Sequence, residues 1–224
     1  MNIYGSFFKS IKALVKFFVP PKSVPEKGSL EAPVVYVGHH QNMRGPVFSL
    51  LWFPGEVRTW VLHVFLGFKR CYRHFIEFTF TKRKRIPKLL AALLAVPAAA
   101  IYSALLRSGG SIPVYRGSMQ IRQTISQTMD ALKKGQSVII FPDIDYSSPD
   151  EDMGDIYTGF LQLERFYYKS QKTHLKFVPL AADTEKKSLL IGDPITFKDG
   201  ESFMDGKLRV SQEIRDAINR LSQS

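Results

Sequence analysis

The sequence predicts an α/β fold in which a central β-sheet is flanked by helices. Short unbroken apolar runs, typical of strands buried on both faces, alternate along the chain with segments whose apolar residues recur every three or four positions. The chain has 224 residues, 45% of them hydrophobic, which is enough to bury a sizeable core. Strands that alternate with helices are typical of a sheet with helices packed against it.

Six segments have the composition of strands. The clearest is Ser137–Phe141, an apolar run that follows a single serine. Val34–Val37 is equally apolar, as expected for a strand covered on both faces. The remaining predicted strands are Val57–Leu66, Ser111–Tyr115, Lys176–Ala181 and Leu189–Ile191. Together these segments place the α/β domain at residues 30–224.

Helices are predicted between and after these strands, where apolar residues share one helical face. One helix over residues 121–132 is expected to end at Gly135, a residue suited to a helix C-terminus. Helical spacing returns over residues 160–168 and again over 210–221. A linker at residues 20–32, rich in proline, serine and charge, is predicted to precede the domain.

Residues 1–20 are predicted to form an amphipathic basic helix that ends at Pro20-Pro21. Large apolar residues recur on one face and three lysines fall on another. The apolar residues are Phe7, Ile11, Leu14, Val15 and Phe18, and the lysines are Lys9, Lys12 and Lys16. Because the lysines interrupt the apolar segment, the pattern is not that of a secretory signal. Two interpretations stay open: a helix docked on its own domain, or a membrane-associating helix.

The segment at about 69–106 is predicted to be a basic and apolar insertion that faces a membrane. Its first part, up to Lys88, holds eight lysines and arginines but one acid, Glu77, with phenylalanines between them. Its second part, Leu89–Leu106, is eighteen residues without a charge and contains Pro97. That length is at the lower limit for crossing a bilayer. The alanines and the central proline favour a buried or half-inserted helix over a true span.

The charge of the chain predicts a polyanionic partner. Lysine and arginine outnumber aspartate and glutamate by 31 to 20, which gives a net charge of +11 and an isoelectric point near 9.7. Nucleic acid and an anionic membrane surface both fit this charge. A neighbouring apolar helix contributes nothing to nucleic acid binding, whereas a membrane surface can bind both the cations and the apolar helix. No known nucleic-acid-binding motif is present. The predicted partner is therefore anionic membrane lipid, and no nucleic acid is expected.

The single cysteine, Cys71, excludes an internal disulfide.

Four short segments occur in an order that is informative about chemistry. A predicted strand ends in Gly38-His39-His40, and the segment Gly110–Gly117 follows later with the sequence Gly-Ser-Ile-Pro-Val-Tyr-Arg-Gly. The third segment is a strand end, Phe141-Pro142-Asp143, and the fourth carries Val178-Pro179-Leu180. The order matters more than any one segment, because each segment alone is a common pattern.

In this order the segments resemble the motifs of the lysophosphatidic acid acyltransferase family, the PlsC-like glycerolipid acyltransferases, over roughly residues 30–200. The resemblance implies a glycerolipid acyltransferase-like fold and an O-acyltransferase of phospholipid biosynthesis. Such an enzyme moves a fatty acyl chain from an acyl-CoA or acyl-carrier-protein thioester to a hydroxyl of a lysolipid, at the cytoplasmic face of the cell membrane. It implies no cofactor, because the thioester is already activated, and no metal.

The resemblance assigns the general base to His40, with His39 as its neighbour or substitute. In the family, four residues separate the histidine from an aspartate. At the aspartate position this chain has Gly45 if His40 is aligned with the histidine, and Arg44 if His39 is aligned with it. Loss of the orienting acid of a serine protease lowers turnover about 10⁴-fold. We expect Asp143 to take its place, with a carboxylate oxygen within about 3 Å of a ring nitrogen. If that replacement is poor, Gly45→Asp should raise turnover, and if it is good, the substitution should do little or cause harm.

The resemblance also implies the substrate-binding residues. Arg116 corresponds to the arginine of the second motif and is expected to bind an acceptor phosphate. The other candidates are Gly110, Tyr115, Arg44 and Asp145, and Asp145 is also the second candidate for the orienting acid. Residues 144–146, Ile-Asp-Tyr, replace the Gly-Thr-Arg of the third motif, which removes the phosphate-contacting arginine of that loop.

Two further interpretations stay open on the sequence. A catalytically impaired relative would keep the fold and act as a membrane lipid-binding protein. The acidic loop after the third segment has carboxylates that can hold a divalent cation, although neither a histidine nor regular ligand spacing accompanies them. Its acids are Asp143, Asp145, Asp150, Glu151, Asp152 and Asp155. His63 and His74 are expected to be structural.

Overall fold

The structure is a computed structural model that describes residues 2–26, 32–145, 150 and 152–223. The predicted linker is described only in part, and Tyr146, Ser147 and Glu151 of the acidic loop lie outside the described residues. Helices and strands alternate along most of the described chain, so the predicted α/β class is confirmed.

The elements follow one another in an order close to the predicted one. They are α1 (Ser6–Phe18), β1 (Val35–Gly38), α2 (Arg44–Trp52), β2 (Arg58–Leu62), α3 (Phe68–His74), α4 (Lys88–Ser108), β3 (Ile112–Val114), α5 (Ile121–Lys133), β4 (Val138–Ile140), α6 (Gln162–Gln171), β5 (Phe177–Asp183), β6 (Ser188–Ile191) and α7 (Phe203–Gln223). Short 3₁₀ turns at His63–Leu66 and Thr158–Leu161 precede α3 and α6, and a π-helical segment, Phe75–Arg83, continues α3.

The chain divides into two compact units. One, called here the hairpin unit, comprises Met1–Ile11 and Arg58–Ser126. The other, the histidine unit, comprises Lys12–Val57 and Gln127–Ser224. The division falls within α1 and α5, and the insertion predicted at about 69–106 belongs to the hairpin unit.

The histidine unit is built on a mixed sheet of four strands in the order β4-β1-β5-β6. β1 pairs in parallel with β4 and with β5, whereas β6 runs antiparallel to β5. Val178 and Leu180 of β5 face a core beneath α2 that also contains Trp52. Pro179, between them, faces the other way and lies with Leu221 of α7 beside Gly192. The alternation of a strand thus gives each face of the sheet its own helix.

The hairpin unit pairs β2 in parallel with β3 and carries a helical hairpin, residues 68–108, in which α3 and the π-helical segment pack against α4. The strand predicted at Val57–Leu66 is shorter than expected, because the chain turns at His63. The ring of His63 donates to the carbonyl of Val114 at 3.2 Å and stacks on Tyr115. These contacts give His63 a structural role, as expected.

Helix α1 lies inside the predicted residues 1–20, and one of its faces is docked on the protein. Phe8 is buried and its backbone N–H donates to Ser108 Oγ at 3.0 Å. Lys12 Nζ donates to the carbonyl of Phe53 at 2.9 Å, and burial lowers the pKa of Lys12 to about 8. The docked interpretation therefore holds for this face. Large apolar side chains remain exposed elsewhere on the helix, at Phe7, Leu14, Val15, Phe17 and Phe18.

Candidate active site

The candidate site lies at the carboxyl end of the parallel strands of the histidine unit. β1 ends at Gly38, so His39 and His40 are the first residues beyond it, and Asp143 is the third residue beyond the end of β4 at Ile140. Val37 and Ile140 are partners in the parallel register. Because neighbouring parallel strands end at one edge of a sheet, this register brings the histidines and the aspartate together.

Asp143 binds both histidines through different oxygens. Its Oδ1 is hydrogen bonded to His39 Nδ1, and its Oδ2 lies 3.0 Å from His40 Nδ1. Oδ2 also accepts the backbone N–H of His40 at 3.0 Å. The predicted approach of Asp143 to a histidine ring is thus confirmed, and one buried carboxylate orients two imidazoles.

His39 uses both of its ring nitrogens inside the protein. Nδ1 contacts Asp143, and Nε2 lies 2.9 Å from the backbone carbonyl of Asp150. A carbonyl only accepts, so Nε2 carries a proton, and a second proton on Nδ1 satisfies the carboxylate. Burial alone lowers the pKa of His39, but these two partners outweigh burial and raise it. This geometry favours a buried imidazolium, so it argues against His39 as the substitute base.

Asp143 is held in its ionised form by the same contacts. Burial by itself raises its pKa, but the hydrogen bonds from His39 and His40 outweigh burial and leave the pKa well below its usual range. Backbone pairing fixes the loop around it: Ile156 forms a bridge with Asp143, and Tyr157 N–H donates to the carbonyl of Pro142 at 2.7 Å. The carboxylate therefore sits on a supported backbone.

Of the two histidines bound by Asp143, His40 is the more exposed to solvent. Its side chain is 18% exposed, whereas that of His39 is 4% exposed. The ring packs edge-on against Phe141, with 5.5 Å between centroids. Donation from Nδ1–H to the carboxylate of Asp143 leaves the basic lone pair on Nε2. This is the tautomer that a general base needs.

The turn after His40 explains why glycine occupies position 45. Gln41, Asn42 and Met43 all have positive φ values, which close a tight turn before α2. Gly45 N–H donates to the carbonyl of His40 at 3.0 Å, and a Cβ at this position would overlap the carbonyl oxygen of His39. Even the first atom of a side chain does not fit here, so the structure favours the expectation that Gly45→Asp does harm.

The remaining predicted substrate-binding residues are distributed over both units. Arg44, the first residue of α2, and Asp145 are exposed in the histidine unit. Gly110, Tyr115 and Arg116 belong to the hairpin unit, where Arg116 is exposed in the turn after β3. The structure thus joins the predicted catalytic residues His39, His40 and Asp143 into one cluster within the histidine unit.

Backbone conformation explains the glycine at position 110, whereas Tyr115 lies beside a groove. Gly110 has a φ of 66°, and its carbonyl accepts from Arg58 at 3.0 Å, so backbone conformation accounts for the glycine. Tyr115 lines an open groove of about 600 Å³ in the hairpin unit. The other residues along this groove include His63, Leu66, Phe68, Lys69 and Arg70.

Two features of the histidine unit had no signal in the sequence. The carbonyl of Asp150 is a main-chain group, which no residue type announces. His174 lies between Glu164 and Asp199, with Nδ1 2.6 Å from Glu164 Oε1 and Nε2 3.1 Å from Asp199 Oδ1. Burial lowers the pKa of His174, but these carboxylates outweigh it and raise the pKa. Glu164 Oε2 also accepts the N–H of Leu175, so the cluster ties α6 to the start of β5.

Within the described ranges, no group of three or more histidine, cysteine, aspartate or glutamate side chains is arranged to hold a metal ion. Comparison of the chain with family models, with curated proteins and with solved structures finds no match.

Proposed function

We propose that this protein is an O-acyltransferase that moves a fatty acyl chain from an acyl-CoA or acyl-carrier-protein thioester to a hydroxyl of a membrane lysolipid. The observation that carries the proposal is the pairing of His40 with Asp143 at the carboxyl end of neighbouring parallel strands. A histidine whose Nδ1–H is held by a buried carboxylate presents Nε2 as a base, which is the arrangement that activates hydroxyl nucleophiles.

In the proposed reaction His40 acts as base and then as acid. Nε2 takes the proton of the acceptor hydroxyl while the hydroxyl oxygen attacks the thioester carbonyl carbon. The tetrahedral intermediate then collapses and its carbon–sulfur bond breaks. The protonated Nε2 of His40 gives its proton to the departing sulfur. The products are an ester and a free thiol, so no cofactor or metal is required. Asp143 holds the ring in one tautomer and stabilises its transient positive charge.

His39 has a positioning role in this proposal. Its protonated ring binds Oδ1 of Asp143 and leaves Oδ2 for His40. The ring is itself fixed by the carbonyl of Asp150. Arg116 is proposed to bind a phosphate of the acceptor, since guanidinium matches phosphate geometry. Arg44, Tyr115, Gly110 and Asp145 keep their predicted place in substrate binding as part of the same proposal.

The second candidate function is a lipid-binding relative with impaired catalysis, and one observation favours it. Asp143 is shared, so the positive charge of His39 already compensates much of its negative charge. A second imidazolium on His40 would then be less stabilised, and turnover would be slow. The protein would still occupy the cytoplasmic face of the cell membrane, where the exposed apolar residues of α1 and α4 and a net charge of +11 suit anionic lipid.

A screen of acceptors separates the two functions. The full chain is incubated with labelled acyl-CoA or acyl-carrier protein and a panel of lysolipids, with and without phosphate, in mixed vesicles. The acyltransferase predicts a labelled ester with at least one acceptor, and a loss of that product with His40→Gln. Vesicle binding without ester formation on any acceptor would replace the enzyme with the lipid-binding protein.

A further inference from the structure

The helical hairpin has two arms and a strongly basic tip. The first arm is Phe68–Arg83 and the second is α4. The tip, residues 82–88, comprises the end of the first arm, the connection and the first residue of α4. The arms pack side by side, and Tyr102 of α4 lies against Phe75 of the first arm, with 5.8 Å between ring centroids. At the tip, Ile86 N–H donates to the carbonyl of Phe80 at 2.8 Å. The hairpin is therefore one packed element.

Helix α4 has a narrow buried stripe and a broad exposed apolar surface. Its buried residues recur every three or four positions and are mostly small: Ala91, Ala95, Ala99, Ser103 and Leu106. Small residues allow the first arm to approach closely. The large aliphatic side chains point outward instead, at Leu89, Leu90, Leu93, Leu94, Val96 and Ile101. Leu89 is 88% exposed and Leu93 is 71% exposed. An apolar surface of this kind on one helix marks an interaction site.

By length and composition, α4 is the one helix in the described part of the chain that qualifies as a membrane span. Its 21 residues correspond to about 31 Å, close to the thickness of the hydrocarbon core. Only 22% of the most apolar 18-residue segment of α4 is buried inside the protein. Length therefore permits a crossing, and the neighbouring arm decides whether one occurs.

The first arm is too charged to cross with α4. It carries exposed Lys69, Arg70 and Arg73 near its start and exposed Glu77 near its middle. Because the arms are packed together, a crossing would bring these charges into the hydrocarbon, where each is costly. A half-inserted hairpin fails for the same reason, since it would bury the tip. The tip holds Lys82, Arg83, Lys84, Arg85 and Lys88, all exposed, and no acid.

We propose that the helical hairpin lies flat on an anionic membrane surface. The exposed aliphatic side chains of α4 enter the boundary between headgroups and acyl chains, and the cations of the tip contact lipid phosphates. This inference deepens the proposed function, because it names how an enzyme acting on membrane lipid reaches its substrate. Nucleic acid would match the cations but would leave Leu89 and Leu93 in water, so a lipid surface is the better fit.

The binding test uses the full chain and sedimentation with vesicles of phosphatidylcholine, alone or with phosphatidylglycerol. Removing two tip charges, Lys84→Gln with Lys88→Gln, should weaken binding to the anionic vesicles tenfold or more, and added salt should do the same. Leu89→Gln with Leu93→Gln should weaken binding to a similar extent. The matched controls in the histidine unit are Lys133→Gln with Lys134→Gln, at the end of α5 and in the turn after it, and Met204→Gln with Leu208→Gln on α7, all at exposed positions. They should bind like the wild type.

A depth measurement separates a flat hairpin from a crossing one. A fluorophore is attached to a cysteine placed at Leu89, Leu93 or Ile101 in turn. Cys71 should not compete, since it is fully buried and burial raises its pKa to about 11. Spin-labelled lipids should quench all three positions at the same shallow depth. A depth that changes steadily from Leu89 to Ile101 would overturn the flat arrangement.

Other outcomes would also overturn the proposal. They are equal binding of wild type and variants, equal binding to neutral vesicles at high salt, preferential binding of an oligonucleotide, and burial of α4 in a dimer. Assay of a short-chain, water-soluble acceptor keeps this test separate from the chemistry. Hairpin variants that lose vesicle binding should still acylate that acceptor. Flat binding without ester formation on any acceptor would retain the docking surface and remove the acyltransferase.

Discussion

His40 is joined to Asp143 twice, since its backbone N–H and its ring Nδ1 both lie 3.0 Å from Oδ2 of the carboxylate. The backbone contact places the start of the loop, and the ring contact sets the tautomer. A carboxylate that moves must break both hydrogen bonds, so the side chain of His40 is oriented by an acid that follows another strand, β4. In the proposed acyltransferase, this arrangement would take the place of the aspartate that the resembling family has five residues after the histidine.

The first prediction concerns the dependence of stability on pH. Pairing raises the pKa of folded His39, so its contribution to the free energy of unfolding is complete below about pH 6.5 and is lost as pH rises through the folded value. Pairing lowers the pKa of Asp143, so its contribution is present above about pH 4 and is lost as pH falls through the folded value. Both contributions are present between about pH 4 and 6.5.

Urea unfolding at pH 6 and pH 9 measures this effect. The wild type should be more stable at pH 6, and His39→Gln should reduce the difference between the two values. His174, whose pKa the carboxylates of Glu164 and Asp199 raise against burial, should contribute a second part of the decrease. His174→Gln is therefore the matched variant, and the double variant should show the weakest dependence. An unchanged difference in His39→Gln would show that His39 is not held as an imidazolium.

The second prediction concerns Gly45. Gly45→Ala should lower the free energy of unfolding by about 1–3 kcal/mol or more, because its Cβ would overlap the carbonyl oxygen of His39 and force the turn to move. Gly45→Asp should be at least as damaging and should not raise turnover. Gly154→Ala is the control, since a Cβ at Gly154 meets nothing within 4 Å. Thermal unfolding of the three variants decides the matter, and a stable Gly45→Asp with higher turnover would refute this account of the turn.

The third prediction concerns the acceptor. If Arg116 binds a phosphate, Arg116→Ala should raise the Michaelis constant for a phosphorylated lysolipid much more than for an uncharged one. Arg116→Lys should recover only part of the loss, because lysine lacks the planar fork of guanidinium. Initial rates on both acceptors provide the comparison. Equal losses on the two acceptors would assign Arg116 to structure rather than to the substrate.

Those parts of the fold that depend on local pattern could be predicted from the sequence. β1 and β4 are unbroken apolar runs, and their parallel pairing brings the residues that follow them, His40 and Asp143, to one edge of the sheet. A contact between one of the two histidines and Asp143 or Asp145 was expected, with Asp143 preferred because the resemblance implies an acid at this strand end. α2 was not predicted, because a turn with three positive φ values precedes it and no capping side chain marks its start.

Contacts made by main-chain groups and packing could not be predicted. The carbonyl of Asp150 binds His39 across 111 residues of sequence, and any residue type could provide it. The docking of Lys12 on the carbonyl of Phe53 is similar, since the helical pattern placed this lysine on a polar face. The space at Gly45 is also a tertiary property. A comparison of motifs interprets Gly45 as a replaced aspartate, whereas the backbone of His39 leaves room only for a hydrogen atom at this position.

A double-mutant cycle on His40 and Asp143 tests the central claim most directly. The turnover number is measured for wild type, His40→Gln, Asp143→Asn and the double variant with one donor and one acceptor, after unfolding curves show that all four are folded. Asp130→Asn, at an exposed position of α5, is the control for loss of a carboxylate. Each single substitution should lower turnover by about 10²–10⁴-fold, and the double variant should be little slower than the slower single variant, because the two residues act as a unit. Losses that multiply, or single variants that keep wild-type turnover, would contradict the claim that Asp143 makes His40 a base.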